Sequence, residues 1–181
     1  MRPLPFSVLL FAACAALAGC SREVTHRQVA EFIDRADDAA RKRFAPEICE
    51  LRAKNFTIDV TSYAEGEREP SELKMTRKLY CQQAGSFSRL RQYRLERKSI
   101  DIDIATDRKS ATVTAEYVET MPFYDPWRAP VTPDDFNHFQ VVESRDVSVV
   151  GIEDGDLKFL STETESHQSL VSKKEVKIPY D

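Results

Sequence analysis

Residues 100–117 read IDIDIATDRKSATVTAEY, two alternating stretches on either side of a polar turn. Isoleucine alternates with aspartate over 100–104, and small apolar residues alternate with threonine over 111–115. Because successive side chains of a strand point to opposite faces, this alternation gives each strand one apolar face. The stretch therefore predicts an antiparallel hairpin that buries one face, with its turn at 106–109.

The same period of two continues along the rest of the chain. A strand is predicted from Phe139 to Ile152, and a second one from Leu157 to His167. Asp154-Gly155 between them is a typical two-residue hairpin turn. With a strand beginning near Leu90, about four long strands follow Gly85, and the polar residues 169–181 are predicted to form a tail.

Before Gly85 the apolar residues recur mainly at helical spacing. Thr25 and Gln28 fit a capping box, in which a hydroxyl side chain and a Gln three positions later close the first turn. They open a helix predicted over 25–44, and Pro46 is typical of the first turn of a second, short helix. A strand over 56–63 and a helix from Ser71 to Gly85 complete the prediction. The long helix would bury a stripe made of Val29, Phe32, Ile33, Ala36, Ala40 and Phe44.

This order of elements resembles the nuclear transport factor 2-like superfamily, which includes SnoaL-like proteins and ketosteroid isomerases. The most suggestive local stretch runs from Ala39 into Phe56-Thr57-Ile58-Asp59, and the likeness covers residues 25–167. The resemblance implies an α+β domain whose N-terminal helices pack in the concavity of a strongly curved antiparallel sheet, leaving a conical cavity. A cystatin-like helix on a curved sheet shares much of this order and is the alternative fold.

The first residues have the composition of a secretion signal. Arg2 is followed by an apolar run over 5–17 that is too short for a permanent membrane span. Leu17-Ala18-Gly19-Cys20 resembles the lipobox of bacterial lipoproteins, which implies cleavage before Cys20 and acylation of that residue. The alternative is an ordinary secreted protein cut near Ala15 or Ala18. The lipobox reading divides the chain into a signal (1–19), a lipidated tether (20–24), a domain (25–168) and a tail (169–181).

Two cysteines remain after the signal and the lipidation site are set aside. Cys49 and Cys81 form an even pair in an oxidising compartment, where a disulfide is the simplest interpretation. A catalytic thiol, a metal pair and two free thiols are the alternatives. The resemblance would also put these two cysteines on neighbouring helices.

Composition excludes some classes of protein. The chain has 181 residues and a net charge of -4, with 41% hydrophobic and 31% charged residues, as in a one-domain globular protein. Nothing in this balance indicates nucleic-acid binding. Asp134, Asp135 and His138 have a spacing that is common by chance, so we predict neither a metal nor a cofactor.

Catalytic residues do not follow from the sequence. Enzymes of the superfamily use Asp with Tyr or His inside the cone, but no such set maps onto this chain residue by residue. His138 and His167 are candidates by residue type alone, since imidazole titrates near neutrality. Tyr80, Tyr93 and Tyr117 are candidates for inward-pointing side chains, and a structural role is the favoured interpretation for all of these residues.

One loop has an unusual composition. Phe123, Tyr124 and Trp127 lie among prolines, and aromatic side chains often anchor interfaces. They are predicted to form either a lid over the cavity or a docking surface.

The expected function is that of a membrane-anchored envelope lipoprotein with a non-catalytic ligand-binding or scaffolding domain. Ser21 after the acylated cysteine is typical of export to the periplasmic face of the outer membrane. The expected partners are the membrane, through the lipid anchor, and an envelope protein or a small hydrophobic ligand. Alternatives are a small isomerase or dehydratase that acts inside the cone, which a buried pocket with a His or Asp would favour, and an interaction subunit of an envelope assembly.

Overall fold

A computed structural model of the chain describes residues 23–90, 92–122 and 138–172. Nine elements follow one another in this part of the chain. They are α1 (His26–Arg41), α2 (Ala45–Glu50), β1 (Arg52–Ala64), β2 (Ser71–Thr76), α3 (Arg77–Phe87), β3 (Arg94–Ile104), β4 (Ser110–Pro122), β5 (His138–Glu153) and β6 (Asp156–Ser172). Cys20 and the signal residues 1–19 lie outside the described residues.

The six strands form one curved sheet in the order β2-β1-β6-β5-β4-β3. Strands β3 to β6 are an antiparallel meander, as the period of two predicts. Strand β1 lies beside β6 and runs parallel to it, so the sheet is not wholly antiparallel. Register shifts in the β1–β6, β3–β4 and β5–β6 pairings interrupt the ladders, and such irregularities bend strands. The predicted α+β class and curved sheet are confirmed.

Helix α1 packs the apolar stripe of Val29, Phe32 and Ile33 onto the concave face of the sheet. Phe44, which was predicted to belong to this stripe, lies beyond the helix and is 53% exposed. The predicted capping box is present, since Thr25 accepts from the Gln28 backbone and the Gln28 side chain accepts from the Thr25 backbone. Val29 and Ile33 are fully buried, and the ring of Phe32 lies 4.9 Å from that of Phe159 on β6. The helix ends at Arg41 and not at Phe44, because Arg43 has a φ of 54° that an α-helix cannot contain.

The prediction of a helix that begins at Ser71 was wrong. Residues 71–76 form β2, an edge strand in which Met75 pairs with Ile58 and Leu73 with Val60. The segment that carries Leu73 and Met75 pairs with β1, and this contact between distant parts of the chain outweighs the local capping signal of Ser71. Helix α3 begins at Arg77 and continues past Gly85, which the sequence predicted as its end.

The predicted turns match the structure. Asp154 and Gly155 both have positive φ, 53° and 90°, as a two-residue hairpin of this twist requires. The return strand β6 extends to Ser172, beyond residue 169, at which the sequence placed the start of the tail.

Cys49 on α2 and Cys81 on α3 are paired as a disulfide, with their Cα atoms 5.5 Å apart. This separation is typical of disulfides. The bond joins the two short helices that cover one end of the sheet, as predicted. No helix among the described residues is long and apolar enough to cross a membrane.

Candidate functional site

A cavity of about 490 Å³ lies between the helices and the concave face of the sheet. We call it the cone cavity. Alternation along the strands determines which side chains reach it. On β4 these are Val113, Ala115, Tyr117, Glu119 and Met121, and on β5 they are Gln140, Val142, Ser144, Asp146 and Ser148.

The helices and the sheet contribute different surfaces to this cavity. Helices α1 and α3 contribute mostly apolar side chains, among them Ile33, Ala36 and Phe87. The β1 and β6 side is rich in hydroxyl and amide groups. There Gln140 donates to Gln168 at 2.7 Å, and Gln168 donates to Ser62 at 3.1 Å. Because these groups satisfy one another, they make this part of the cavity polar without adding a charge.

Asp146 places a carboxyl group on the concave face of β5. Its register partners are Ala115 on β4 and Thr164 on β6. Burial raises the pKa of Asp146 to about 6, although a hydrogen bond with Thr164 and the charge of Arg52 oppose this rise. Its Oδ1 atom is buried and has no hydrogen-bond partner. A buried acceptor without a partner costs about 1–3 kcal/mol, so this oxygen favours an incoming donor.

Glu119 is a second carboxyl group on the same face. The hydroxyl of Tyr93 donates to its Oε2 atom at 2.9 Å. Burial raises the pKa of Glu119, and the hydrogen bond from Tyr93 works in the opposite direction. The same burial raises the pKa of Tyr93, so this tyrosine stays protonated and remains a donor.

Asp37 on α1 closes one side of the cavity through a network. Asp37 is 4% exposed, and it accepts from Arg97 at 2.7 Å and from the Tyr117 hydroxyl at 3.1 Å. Arg97 also donates to Asp34 at 2.7 Å. Burial raises the pKa of Asp37, and the charge of Arg97 limits the rise. The network links α1 to β3 and β4, and Asp37 has no free oxygen for a ligand.

Arg52 brings a positive charge to the cavity from the start of β1. Its guanidinium carbon lies 4.8 Å from the ring centre of Tyr80 and 4.7 Å from that of Phe159. It donates to the Ile48 carbonyl at 2.8 Å and to the Tyr80 hydroxyl at 2.9 Å. Its Nε atom is buried and has no partner. The side chain is therefore held in place, with one donor left unused.

A second depression of about 520 Å³ lies near the N-terminal end of α1. Its lining includes Gln28, Phe32 and Leu157, together with charged side chains such as Arg35. Arg35 is already engaged, since it donates to Glu47 at 2.7 Å. None of the unpartnered buried atoms belongs to this depression, so the cone cavity is the stronger candidate site.

Comparisons with solved structures agree with this architecture. A scytalone dehydratase-like protein from Novosphingobium aromaticivorans superposes with a TM-score of 0.56 at 14% identity, over 77% of this chain and 82% of that one. A nuclear transport factor 2-like protein from Pseudomonas putida gives 0.51 at 13% identity, over 80% and 89%. The hexachlorocyclohexane dehydrochlorinase LinA-type3 from Novosphingobium barchaimii gives 0.55 at 7% identity, over 86% and 94%.

This domain has the nuclear transport factor 2-like fold. The likeness at these identities is one of fold. No protein-family model matches the sequence, and no curated protein matches it either.

The histidine candidates do not lie in the lining of the nuclear transport factor 2-like cone. The side chain of His167 is 63% exposed, stacks on Tyr63 at 4.8 Å and lies 3.7 Å from Glu165. His138 is exposed at the start of β5. Tyr80, Tyr93 and Tyr117 do line the cavity. The aromatic residues Phe123, Tyr124 and Trp127 lie outside the described residues.

The charged groups of the nuclear transport factor 2-like cone are residues that the sequence did not single out. Asp146 shares the inward face of β5 with Gln140, Val142, Ser144 and Ser148, so no local signal in the strand marks it. Glu119 continues the inward face of Val113, Ala115 and Tyr117. No group of three His, Cys, Asp or Glu side chains in the described part of the chain is arranged to hold a metal ion.

Proposed function

We propose that this protein is a lipid-anchored protein of the bacterial envelope whose cone cavity binds a small, mainly apolar ligand. The observation that carries the ligand-binding part is the cone cavity itself. Its volume of about 490 Å³ falls in the range of small-molecule sites, roughly 300–1,000 Å³. Apolar walls with a few fixed polar groups are also typical of such sites. A domain used only as a scaffold has no need of an unfilled core.

Substitution of two neighbouring valines on β5 tests this proposal. Val142 lines the cavity, whereas Val141 is not part of its lining. We expect Val142→Phe to fill the space and to weaken binding of the neutral dye Nile red at least about tenfold, as the loss of a buried apolar contact would. Val141→Phe is the matched control and should leave the dye affinity unchanged.

The dye is measured with the secreted chain carrying Cys20→Ala, which removes the acylation site and so avoids detergent. Equal dye binding by both phenylalanine variants would contradict binding inside the cone. Absence of dye binding by the unsubstituted cavity would contradict it as well.

The anchoring part of the proposal rests on Leu17-Ala18-Gly19-Cys20. Cells fed an alkyne-bearing palmitate should label this protein, and Cys20→Ala should abolish the label. Labelling that persists in Cys20→Ala would reject the lipoprotein proposal.

A second candidate function is acid–base catalysis in the same cavity. Asp146 supports it, because a carboxyl with a pKa of about 6 is ionised at neutral pH and basic enough to accept a proton. Two of the structural neighbours are a scytalone dehydratase-like protein and a dehydrochlorinase. In the proposed step, the Asp146 carboxylate takes a proton from a carbon next to a carbonyl group. The electron pair of the C–H bond forms a C=C bond, and the π pair of the carbonyl moves onto its oxygen, which gives an enolate and a protonated Asp146.

Deuterium exchange tests this second candidate. The protein should speed the exchange of the α-protons of cyclohexanone in D₂O, with a rate that rises as the pH increases through about 6. Asp146→Asn should abolish the acceleration, whereas Asp59→Asn, whose side chain is not part of the cavity lining, should not. An unchanged rate in Asp146→Asn would reject Asp146 as the base.

A further inference from the structure

Three buried side-chain atoms without a hydrogen-bond partner belong to residues that line the cone cavity, namely Asp146 Oδ1, Arg52 Nε and Arg43 Nε. Of the two arginines, it is Arg52 whose charge acts on Asp146. Asp146 Oδ1 is an acceptor without a donor, and Arg52 Nε is a donor without an acceptor. Both atoms belong to side chains whose other polar atoms are engaged, Asp146 with Thr164 and Arg52 with Ile48 and Tyr80. Asp146 and Arg52 thus each keep one buried atom whose hydrogen bonding the protein does not complete.

The two groups influence each other without a direct bond. The charge of Arg52 lowers the pKa of Asp146, against the larger effect of burial. The unpartnered atoms nevertheless show that neither side chain completes its hydrogen bonding through the other. A ligand group that donates to Asp146 and accepts from Arg52 would satisfy both at once.

The charges around the cavity select against an ionic ligand. Arg43, Arg52, Glu119 and Asp146 all belong to the lining, which therefore carries ionisable groups of both signs. The remaining charge, Asp37, is compensated by Arg97 at 2.7 Å. Since groups of both signs belong to the lining, an ammonium would meet Arg43 and Arg52, and a carboxylate would meet Glu119 and Asp146. An uncompensated charge is costly in an apolar environment.

We infer that the ligand is a neutral molecule with an apolar body and a head that both donates and accepts hydrogen bonds, such as a primary carboxamide or a hydroxyketone, held between Asp146 and Arg52. This inference rests on the proposed ligand-binding function and specifies its chemistry. The apolar body would lie against the side chains of α1 and α3, and the head against the sheet.

Three probes that all contain a benzene ring, and that differ in charge, show which charge of ligand the cavity prefers. Benzamide is neutral, benzoate is an anion and benzylammonium is a cation at pH 7.5. Calorimetric titration of the secreted Cys20→Ala chain should give benzamide an affinity about tenfold or more above either ion, the effect of roughly one well-formed hydrogen bond to a charged group. Tighter binding of benzoate or benzylammonium would overturn the inference.

The variant Asp146→Asn distinguishes a role in binding from a role in folding, because it should change the preference among the three probes. In Asp146→Asn the charge of Arg52 is no longer balanced, so the preference should move from benzamide towards benzoate. A residue that only supports the fold would weaken all three probes together, and that result would overturn the inference.

Nile red separates failure of this inference from failure of the proposed function. Dye binding that Val142→Phe removes, without preference for benzamide, would reject the ligand chemistry and keep the cavity as a binding site. Loss of both dye and probe binding would reject the binding function itself.

Discussion

Asp146 shows how the environment of a residue, and not its type, creates a candidate site. The sequence directs attention to histidines, because their free imidazole titrates near neutrality. The fold leaves His167 exposed and instead buries an aspartate, which raises the pKa of its carboxyl to about 6. Alternation along β5 could predict the face on which Asp146 lies. It could not predict that helices would cover that face.

The raised pKa of Asp146 predicts a pH-dependent stability. A carboxyl that binds its proton more tightly in the folded state contributes less to stability once it ionises. The free energy of unfolding should therefore fall as pH rises from about 4 through about 6, by up to about 3 kcal/mol from this residue. In urea titrations, Asp146→Asn should gain stability relative to the parent protein across that range. A difference that does not vary with pH would contradict the raised pKa.

Asp37 and Asp38 are adjacent aspartates with different roles. Asp37 is 4% exposed and bound by Arg97 and Tyr117, whereas the side chain of Asp38 is 56% exposed and pairs with Lys42. Asp37→Asn should lower the free energy of unfolding by roughly 2–4 kcal/mol, because it leaves the partly buried guanidinium of Arg97 with only the exposed carboxylate of Asp34 as counter-charge. Asp38→Asn, the matched control, should unfold like the parent protein. Equal effects of the two substitutions would show that the network around Asp37 does not stabilise the fold.

At the scale of elements, the sequence predicted best where a local signal and the final packing agree. The capping box of Thr25, the alternation over 111–117 and the Asp154-Gly155 turn all specify local backbone geometry, and all three are present. The prediction failed over 71–76. Ser71 has the chemistry of a helix cap, but the segment pairs with β1, and such a pairing between separate segments cannot be deduced from a capping signal.

The disulfide between α2 and α3 predicts a measurable loss on its removal. The cysteines are 32 positions apart, so closing the loop should stabilise the fold by roughly 3–4 kcal/mol. The double variant Cys49→Ser, Cys81→Ser should show this loss in urea unfolding. Dithiothreitol should lower the stability of the parent protein to the same level and leave the double variant unaffected. A parent protein insensitive to dithiothreitol would contradict the bond.

At the scale of the whole molecule, the arrangement of the strands could not be derived from periodicity. Alternation predicts the meander of β3 to β6, but it does not show that β1 joins that meander beside β6 and runs parallel to it. The resemblance to the nuclear transport factor 2-like superfamily supplied the expectation of a cone. The charges inside the cone depend on the register between strands, which places Asp146 beside Ala115 and Thr164.

The structure also relates the start of the described chain to the sheet. The backbone N–H of Val24 donates to the Arg108 carbonyl at 2.7 Å, and Arg108 pairs with Glu23 at 2.9 Å. The start of the described chain is thus fixed to the turn between β3 and β4. An acylated Cys20 would hold this turn close to the membrane, with only a few residues of tether between them.

The central claim is that the cone cavity admits a neutral ligand at Asp146, and a site-resolved titration tests it most directly. Benzamide added to ¹⁵N-labelled secreted chain carrying Cys20→Ala should shift the amide resonances of Ala115, Ser144 and Asp146. The amides of Gln28 and Leu157, in the depression near the start of α1, should stay unshifted. Shifts confined to Gln28 and Leu157, or no shifts at all, would contradict the account.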